Sequence, residues 1–303
     1  MGRDYTRWAF WWNYKGPGQY HITINISETT PRLSSIILKE DGRVVASPNN
    51  YGKIVEEKIQ EFIRKYYFIQ LYDYVIMPEH IHMVIKVNDY MDMKLGSYMA
   101  AFKSFCSHAL WELMPELKGK PFFTPGITNK IIRSSNYLIR AVAYVKDNPR
   151  RRYIKAHNPD LFRRMENIEI CGHRFQSVGN QFLLNDFDMA AVRVSSKFTN
   201  EELVRRKHQW LEVIENRGVL VSPFISESEK TVRDYALENG GRVILLRHYP
   251  FGERFKPEGR LFDLCAEGRL LILGMESGLK ESDPITRELA LYLNGVAEAI
   301  AAQ

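Results

Sequence analysis

Two histidines stand one residue apart within the apolar run MPEHIHMVIKV, residues 77–87. Alternate side chains of a β-strand share a face, so the run predicts that His80 and His82 point to one side and Ile81 to the other. Two neutral imidazoles on one face can bind a divalent metal ion. A hydrogen-bonded pair of histidines on a half-buried strand explains the spacing equally well, so both interpretations stay open at this point.

A second set of reactive side chains lies in NYLIRAVAYVKDNP, residues 136–149. Its helical pattern places Tyr144 and Asn148, four residues apart, on one face. A tyrosine hydroxyl is a nucleophile once its proton is removed. The amide oxygen of Asn148 can act as a third metal ligand, and a hard oxygen beside two imidazoles suits Mg²⁺ or Mn²⁺. A core tyrosine and an asparagine that ends the helix before Pro149 are the plain structural alternatives.

The elements that position these residues are typical of a mixed domain. YHITINIS predicts a strand, and LSSIILKEDGRVVA predicts a hairpin that turns at Asp41-Gly42. A helix then precedes two strands around Met77-Pro78, and a second helix precedes the tyrosine helix, which we expect to stop or be disturbed near Pro149. This order predicts an α+β domain of ferredoxin or RRM type, with helices on an antiparallel sheet.

Beyond about residue 170 the pattern changes. The short apolar runs GVLVSPFI, GRVILL and GRLLILG alternate with helical segments, which predicts an α/β domain with a buried parallel sheet. We therefore predict two domains, residues 1–170 and 171–303, with the linker somewhere within residues 165–200.

Composition limits the class of protein. The chain has 303 residues, enough for one large domain or two ordinary ones. It has no apolar run of 18 residues, so we expect no membrane span. Its three cysteines are scattered and odd in number, which fits a reducing cytoplasm better than a disulfide framework.

The basic residues are concentrated in the first half. Residues 1–170 hold 25 Lys and Arg against 17 Asp and Glu, an excess of 8 positive charges, whereas residues 171–303 hold 17 against 19. Such a bias favours a polyanionic partner for the first half, with nucleic acid foremost, although an ordinary solvated basic surface has the same composition.

The segments MPEHIHMVI, FKSF and NKIIRSSNYLIRAVAYVKDNP resemble, in this order and at these intervals, the HUH single-tyrosine transposases of the IS200-like and REP-associated kind. The resemblance covers most of residues 17–160, and its histidine strand and tyrosine helix match independently. It implies that His80 and His82 bind a divalent metal ion, that Asn148 completes the metal site, and that Tyr144 attacks DNA. One departure is Asn129, where relatives often have Asp before the basic residue and IIR.

The resemblance implies a single-stranded or hairpin-bearing DNA substrate, and relatives include both monomers and homodimers that exchange the tyrosine helix. Basic side chains around the site are candidates for phosphate contacts; a solvated basic helix end is the alternative for the last three. The candidates are Lys103, Lys130, Arg133, Arg150, Arg151 and Arg152.

Residues 215–276 resemble the Rossmann-like fold of the DNA-processing protein DprA, which implies an accessory DNA-binding or partner-binding module. The glycine-rich loop usual after the first strand is replaced by SPFISESE. Its serines, Ser222, Ser226 and Ser228, either cap the next helix or offer backbone amides to a phosphate.

The resemblance implies a metal-dependent tyrosine nuclease and transposase that cuts and rejoins single-stranded DNA through a covalent 5′-phosphotyrosine. Two alternatives remain open. One is a domesticated relative that binds a DNA hairpin without cutting it, and the other is a metal-dependent phosphodiesterase that uses water as the nucleophile.

Overall fold

The computed structural model describes residues 8–9, 11–186, 188–195 and 198–303. The chain forms two compact units, Met1–Tyr153 and Ile154–Gln303. The helices and strands of the first unit are, in chain order, β1 (Gly18–Asn25), β2 (Ser34–Leu38), β3 (Val44–Pro48), α1 (Asn50–Lys65), β4 (Ile69–Ile76), β5 (His80–Val87), α2 (Leu95–Leu113), β6 (Thr128–Ile132) and α3 (Ser135–His157), the last of which extends past residue 153.

The N-terminal unit has the predicted α+β fold. Its sheet has four antiparallel strands in the order β4-β5-β1-β6. The succession β1-α1-β4-β5-α2-β6 is the ferredoxin-like βαββαβ arrangement. The hairpin β2-β3 is inserted before α1 and turns at Gly42, whose φ of 80° is a conformation that glycine adopts readily.

The two faces of this sheet bury different cores. On one face, alternate residues of β5 pack with α1 and α2 in a large apolar cluster that includes Ile81, Met83 and Ile85. On the other face, Val84 belongs to a smaller cluster with residues of β6 and α3. The predicted alternation along β5 is therefore confirmed, and the histidine face lies on the α3 side of the sheet.

The C-terminal unit contains a six-stranded sheet with helices. In chain order its elements are β7 (Met165–Ile170), β8 (His173–Gly179), β9 (Met189–Ala191), α4 (Asn200–Glu215), β10 (Val219–Ser222), α5 (Glu227–Glu238), β11 (Arg242–Arg247), α6 (Arg260–Ala266), β12 (Leu270–Met275) and α7 (Arg287–Ala301). Strands β9 to β12 are parallel, as predicted for an α/β unit. The sheet as a whole is mixed, because β8 adds antiparallel to β12 and β7 adds antiparallel to β8.

The two compact units divide after Tyr153. This is earlier in the chain than the predicted boundary at residue 170 and the predicted linker within residues 165–200. Strand β7 ends at residue 170 and pairs with β8, so the residues before 170 already belong to the C-terminal sheet. The long-range contact is the pairing of β8 with β12, which joins this hairpin to the C-terminal sheet and which the change in apolar pattern does not reveal.

Within the described residues, no helix combines the length and the apolar composition that crossing a membrane requires.

Candidate active site

The histidine face is built by two neighbouring strands, β1 and β5. Their register places Thr23 directly opposite His82, and opposed residues of an antiparallel pair point to the same side of the sheet. His21, two residues before Thr23 on β1, shares that side. The sheet therefore gathers His21 beside the predicted pair, His80 and His82.

The three imidazoles are in close contact. The ring centroid of His82 lies 4.6 Å from that of His80 and 5.0 Å from that of His21. The Nδ1 atom of His82 lies 2.9 Å from Thr23 Oγ1 and 3.2 Å from His21 Nε2. His21 and Thr23 are not among the residues predicted from the sequence. The available signal was the alternation in YHITINIS, which places these two polar residues on one face of a strand.

Burial keeps the three histidines neutral at pH 7. It lowers the pKa of His82 from 6.5 to about 2, with smaller contributions from His80, His21 and Lys130. Burial likewise lowers the pKa of His21 to about 4, with Lys130 adding to the effect. The pKa of His80 is also lowered by burial, against the opposing charge of Glu79. Neutral imidazole is the form that has a nitrogen lone pair to offer to a metal ion.

Helix α3 brings the predicted nucleophile to the same face. The ring centroid of Tyr144 lies 5.7 Å from the ring centroids of both His21 and His82. Tyr144 is 38% exposed, so a strand outside the protein can reach its phenol. The guanidinium carbon of Arg151 lies 5.6 Å from the centre of the tyrosine ring and supplies positive charge beside it. The helix is held against the sheet by an apolar cluster of Val84, Ile132, Ala141 and Val145.

Asn148 lies one turn beyond Tyr144 and is buried. Its side-chain Nδ2 donates a hydrogen bond of 2.9 Å to the backbone carbonyl of Tyr144. This bond fixes the amide group and assigns its nitrogen to the helix, which leaves the carbonyl oxygen as the end that can accept or coordinate. Helix α3 does not stop at Pro149 but continues to His157, although the proline lacks the N–H that a regular helical hydrogen bond needs.

The imidazole nitrogens of His80 and His82 and the amide oxygen of Asn148 suit a divalent ion that is bound by only a few protein atoms. Nδ1 of His82 is occupied by its neighbours, so Nε2 is the nitrogen available to a metal, and the ring of His80 lies beside it. In the part of the chain that the structure describes, no group of three or more His, Cys, Asp or Glu side chains could hold a metal. Two imidazoles would therefore need oxygen ligands from the Asn148 amide, water or phosphate, which are the ligands that Mg²⁺ and Mn²⁺ prefer.

Three of the basic residues predicted to contact phosphate are engaged by other groups. Lys103 donates from Nζ to the carbonyls of Thr124 (2.6 Å) and Gly126 (2.8 Å). The other two, Arg150 and Arg152, form ion pairs with Asp147 and Glu79 respectively. A phosphate at either arginine would have to compete with a carboxylate.

The remaining basic candidates lie on or next to β6 and α3. Lys130 is exposed and pairs in register with His21 across the β1-β6 ladder, on the histidine face. The guanidinium carbon of Arg133 lies 4.3 Å from the centre of the Trp11 ring, which is itself 52% exposed. Arg151 lies beside the ring of the predicted nucleophile, as described above.

In the C-terminal unit, side chains of the loop SPFISESE accept hydrogen bonds from nearby backbone N–H groups. Ser226 caps α5 in a capping box with Glu229. The buried carboxylate of Glu229 also accepts hydrogen bonds from the backbone N–H groups of Val194 (3.0 Å) and Ile225 (2.9 Å). These amides are therefore already hydrogen-bonded within the protein, which agrees with the interpretation of the loop as a helix cap.

Comparison with known proteins gives a family match and, among the solved structures, neighbours of low similarity. Residues 35–148 match the family model described as "Transposase IS200 like". A REP-associated tyrosine transposase bound to a REP hairpin is 18% identical over 46% of this chain and 72% of its own, with a TM-score of 0.35. A protein from Deinococcus radiodurans r1, provisionally described as a transposase, is 12% identical over 48% of this chain and 95% of its own, with a TM-score of 0.27. None of the curated proteins matches the chain.

Proposed function

We propose that this chain, whose residues 35–148 match the IS200-like transposase family, nicks and rejoins single-stranded DNA through a covalent bond to Tyr144. The observation that carries the proposal is the phenol of Tyr144, partly exposed and with its ring 5.7 Å from those of His21 and His82. Pure DNA binding needs neither a phenol nor neutral imidazoles at that place.

The chemistry is a transesterification at phosphorus. The Tyr144 oxygen forms a bond to the phosphorus atom while the bond from phosphorus to the 3′ oxygen breaks, which leaves a 5′-phosphotyrosine and a free 3′-OH. The phenol loses one proton and the leaving oxygen gains one, so the step needs no other reactant. Because one phosphoester replaces another, a 3′-OH of the same or a different strand can reverse the step without ATP.

The residues around the phenol have separate tasks in this proposal. His80, His82 and Asn148 hold a divalent ion, Mg²⁺ or Mn²⁺, which when bound neutralises negative charge on the phosphate. Arg151 and Lys130 contribute positive charge on the two sides of the site, where the attacked phosphate and its neighbours would lie. The DNA strand on either side of the attacked phosphate is proposed to be contacted by the remaining basic candidates, Lys103, Arg133, Arg150 and Arg152.

The substrate is proposed to be single-stranded DNA that can fold into a hairpin, and the site of action is proposed to be the cytoplasm. The C-terminal unit is proposed as an accessory DNA-binding or partner-binding module. A homodimer in which the tyrosine helix is exchanged stays a prediction; in this structure Tyr144 lies at the histidines of its own chain.

A covalent-adduct assay tests the proposal. The full chain is incubated with Mg²⁺ and a pool of single-stranded oligonucleotides, some bearing hairpins, labelled at the 3′ end so that the fragment bonded to tyrosine keeps its label. Wild-type protein should give a labelled band on a denaturing gel, and Tyr144→Phe should abolish it. Tyr137→Phe, about two turns before Tyr144 on α3, is the matched control and should retain the adduct.

The other outcomes identify the alternatives. Cut DNA without an adduct would indicate a phosphodiesterase that uses water. Uncut but retained DNA would indicate a hairpin-binding protein that does not cleave. An adduct that persists in Tyr144→Phe would remove this tyrosine from the role of nucleophile.

A further inference from the structure

The hydrogen bonds at His82 differ from those at its neighbour on the strand. Nδ1 of His82 has two partners, the hydroxyl of Thr23 at 2.9 Å and Nε2 of His21 at 3.2 Å. By contrast, no hydrogen bond to a ring nitrogen of His80 is found among the described residues. The two proposed metal ligands are therefore not equivalent before any metal binds.

The partners of His82 come from an interior strand of the sheet. β1 is paired on both sides, with β5 and with β6. Thr23 stands directly opposite His82, so its hydroxyl is fixed by the register and by the limited rotamers of a β-branched side chain. His80, at the first residue of β5, follows the turn at Pro78-Glu79 and has no equivalent support.

A neutral imidazole has one N–H and one nitrogen lone pair, and only the lone pair can bind a metal ion. If Nδ1 carries the proton and donates it to Thr23 Oγ1 or His21 Nε2, the lone pair is at Nε2. The opposite tautomer would place a proton at Nε2 and block coordination there. Groups that accept from the far nitrogen of a metal-binding histidine fix both its tautomer and its ring orientation.

We propose that Thr23 and His21 are positioning residues that accept the Nδ1–H of His82 and thereby hold its Nε2 ready for a divalent cation. In this arrangement His82 is the fixed ligand, and His80 adjusts to the ion as it enters. The inference rests on the proposed function, since it assigns a supporting role to residues beside a proposed ligand.

The tautomer can be measured in metal-free wild-type protein. Two-bond ¹H–¹⁵N correlation spectra of the full chain, labelled at histidine, distinguish Nδ1–H from Nε2–H, and His82→Asn identifies the His82 signals. The expected result is an Nδ1–H tautomer for His82. An Nε2–H tautomer in the wild type would overturn the proposal, whatever the variants below do.

The second measurement is the affinity for Mn²⁺ alone, followed by the electron paramagnetic resonance signal of the free ion. Thr23→Val combined with His21→Phe removes both acceptors with little change of shape, and we expect the Kd to rise about 10-fold to 100-fold. Thr128→Val is the matched control, because Thr128 is opposite Thr23 on β6 and exposed, and its hydroxyl does not contact His82 in the described structure. Its Kd should equal that of the wild type.

The outcomes separate this inference from the proposed function. If Mn²⁺ binds the wild type, is lost in His82→Ala and is unaffected in the folded double variant, the positioning role is wrong while the metal site stands. If the wild type shows no histidine-dependent Mn²⁺ binding, both the metal in the proposed function and the positioning role fail. Circular dichroism of each variant verifies folding, and the tautomer measurement needs no variant of Thr23 or His21.

Discussion

At the scale of single residues, the site combines deep burial of imidazoles with an accessible phenol. His21 and His82 are buried, whereas Tyr144 keeps more than a third of its surface in contact with solvent. A nucleophile that must meet a long polymer has to be reachable, whereas ligands that hold an ion benefit from a rigid, poorly hydrated setting. The same burial makes the histidines costly to protonate, which has a measurable consequence for stability.

We expect the metal-free protein to lose stability as the pH falls from 7 to 5. Folding lowers the pKa of His21 from 6.5 to about 4 and that of His82 to about 2, so in this range the unfolded chain binds protons that the folded chain does not. The free energy of unfolding should fall by about 2 kcal/mol for each of the two imidazoles. Urea unfolding at the two pH values measures the change.

His21→Gln should lose the contribution of His21, about 2 kcal/mol of the change between pH 7 and pH 5. His108→Gln, at an exposed position of α2, is the control and should behave as the wild type. Equal stability at pH 7 and pH 5 in the wild type would contradict the assignment of the low pKa values to burial.

Two of the arginines near the site form ion pairs, which affects how they could bind phosphate. Arg150 and Arg152 look like free phosphate ligands in the sequence, but Asp147 and Glu79 are paired with them in the fold. Exposed ion pairs of this kind contribute little to stability and can exchange partners readily. A DNA phosphate can therefore still recruit these arginines, at the expense of the carboxylate contact.

At the scale of elements, the start of helix α1 is determined by its local sequence. The Asn49 side chain accepts from the backbone N–H groups of Tyr51 (3.0 Å) and Gly52 (3.1 Å), which have no partner inside the helix. Its amide also donates to the carbonyl of Arg32. Gly52 allows the helix to approach the preceding loop, because a Cβ atom there would lie 2.1 Å from the Leu33 carbonyl oxygen.

Asn49→Ala should lower the free energy of unfolding by about 1 kcal/mol, since it removes the acceptor for two amide groups at the start of α1. Urea unfolding followed by tryptophan fluorescence measures the difference. Asn50→Ala changes the same residue type one position later, at an exposed site inside the helix. That variant should stay within about 0.5 kcal/mol of the wild type, and an equal loss in both variants would count against the capping role.

Helix α3 continues through a proline, a residue that usually ends or kinks a helix. Pro149 lacks a backbone N–H and usually kinks or ends a helix, yet α3 runs through it for eight more residues, to His157. Packing of Ala141 and Val145 on the sheet holds the helix on the N-terminal side of the proline. As a result, the run Arg150–Arg152 lies on the same helix as Tyr144, and Arg151 reaches the tyrosine ring.

At the scale of the whole molecule, the charge bias is also found when the charges are counted over the two compact units. Residues 1–153 hold 22 Lys and Arg against 14 Asp and Glu, whereas residues 154–303 hold 20 against 22. The positive excess thus belongs to the unit that carries the histidines and Tyr144, where a polyanionic substrate would bind. Each unit has its own apolar core, and each core contains a buried cysteine.

Thiol labelling of the native chain should reveal one fast-reacting cysteine of the three. Cys106 and Cys265 are fully buried, and burial raises the pKa of both thiols, to about 12 for Cys265. Cys171 is partly exposed, in the turn between β7 and β8. Because the thiolate is the reactive form, Cys106 and Cys265 should react only after unfolding.

A colorimetric disulfide reagent measures this directly, with one equivalent released from the native chain and three in denaturant. Cys171→Ser should abolish the fast reaction, and Cys106→Ser should leave it unchanged. Rapid labelling of the Cys171→Ser variant would show that one of the two cores opens more readily than its burial implies.

Sequence alone determined the features of this protein that depend on short-range periodicity. The alternation of HIHMVI assigned His80 and His82 to one face of β5, and the spacing of Tyr144 and Asn148 assigned them to one face of α3. Both follow from backbone geometry, which repeats every two residues in a strand and every 3.6 in a helix.

Only the tertiary structure decided which partners these faces meet. His21 and His82 are 61 residues apart in the chain, and their contact depends on the register of β1 against β5. The ion pair of Arg152 with Glu79, 73 residues away, and the pairing of β8 with β12, which joins β7 and β8 to the C-terminal sheet, also depend on which elements come together. The physical reason is that pairing register and burial are set by contacts between distant segments, which compete over the whole chain, whereas periodicity is decided within a few residues.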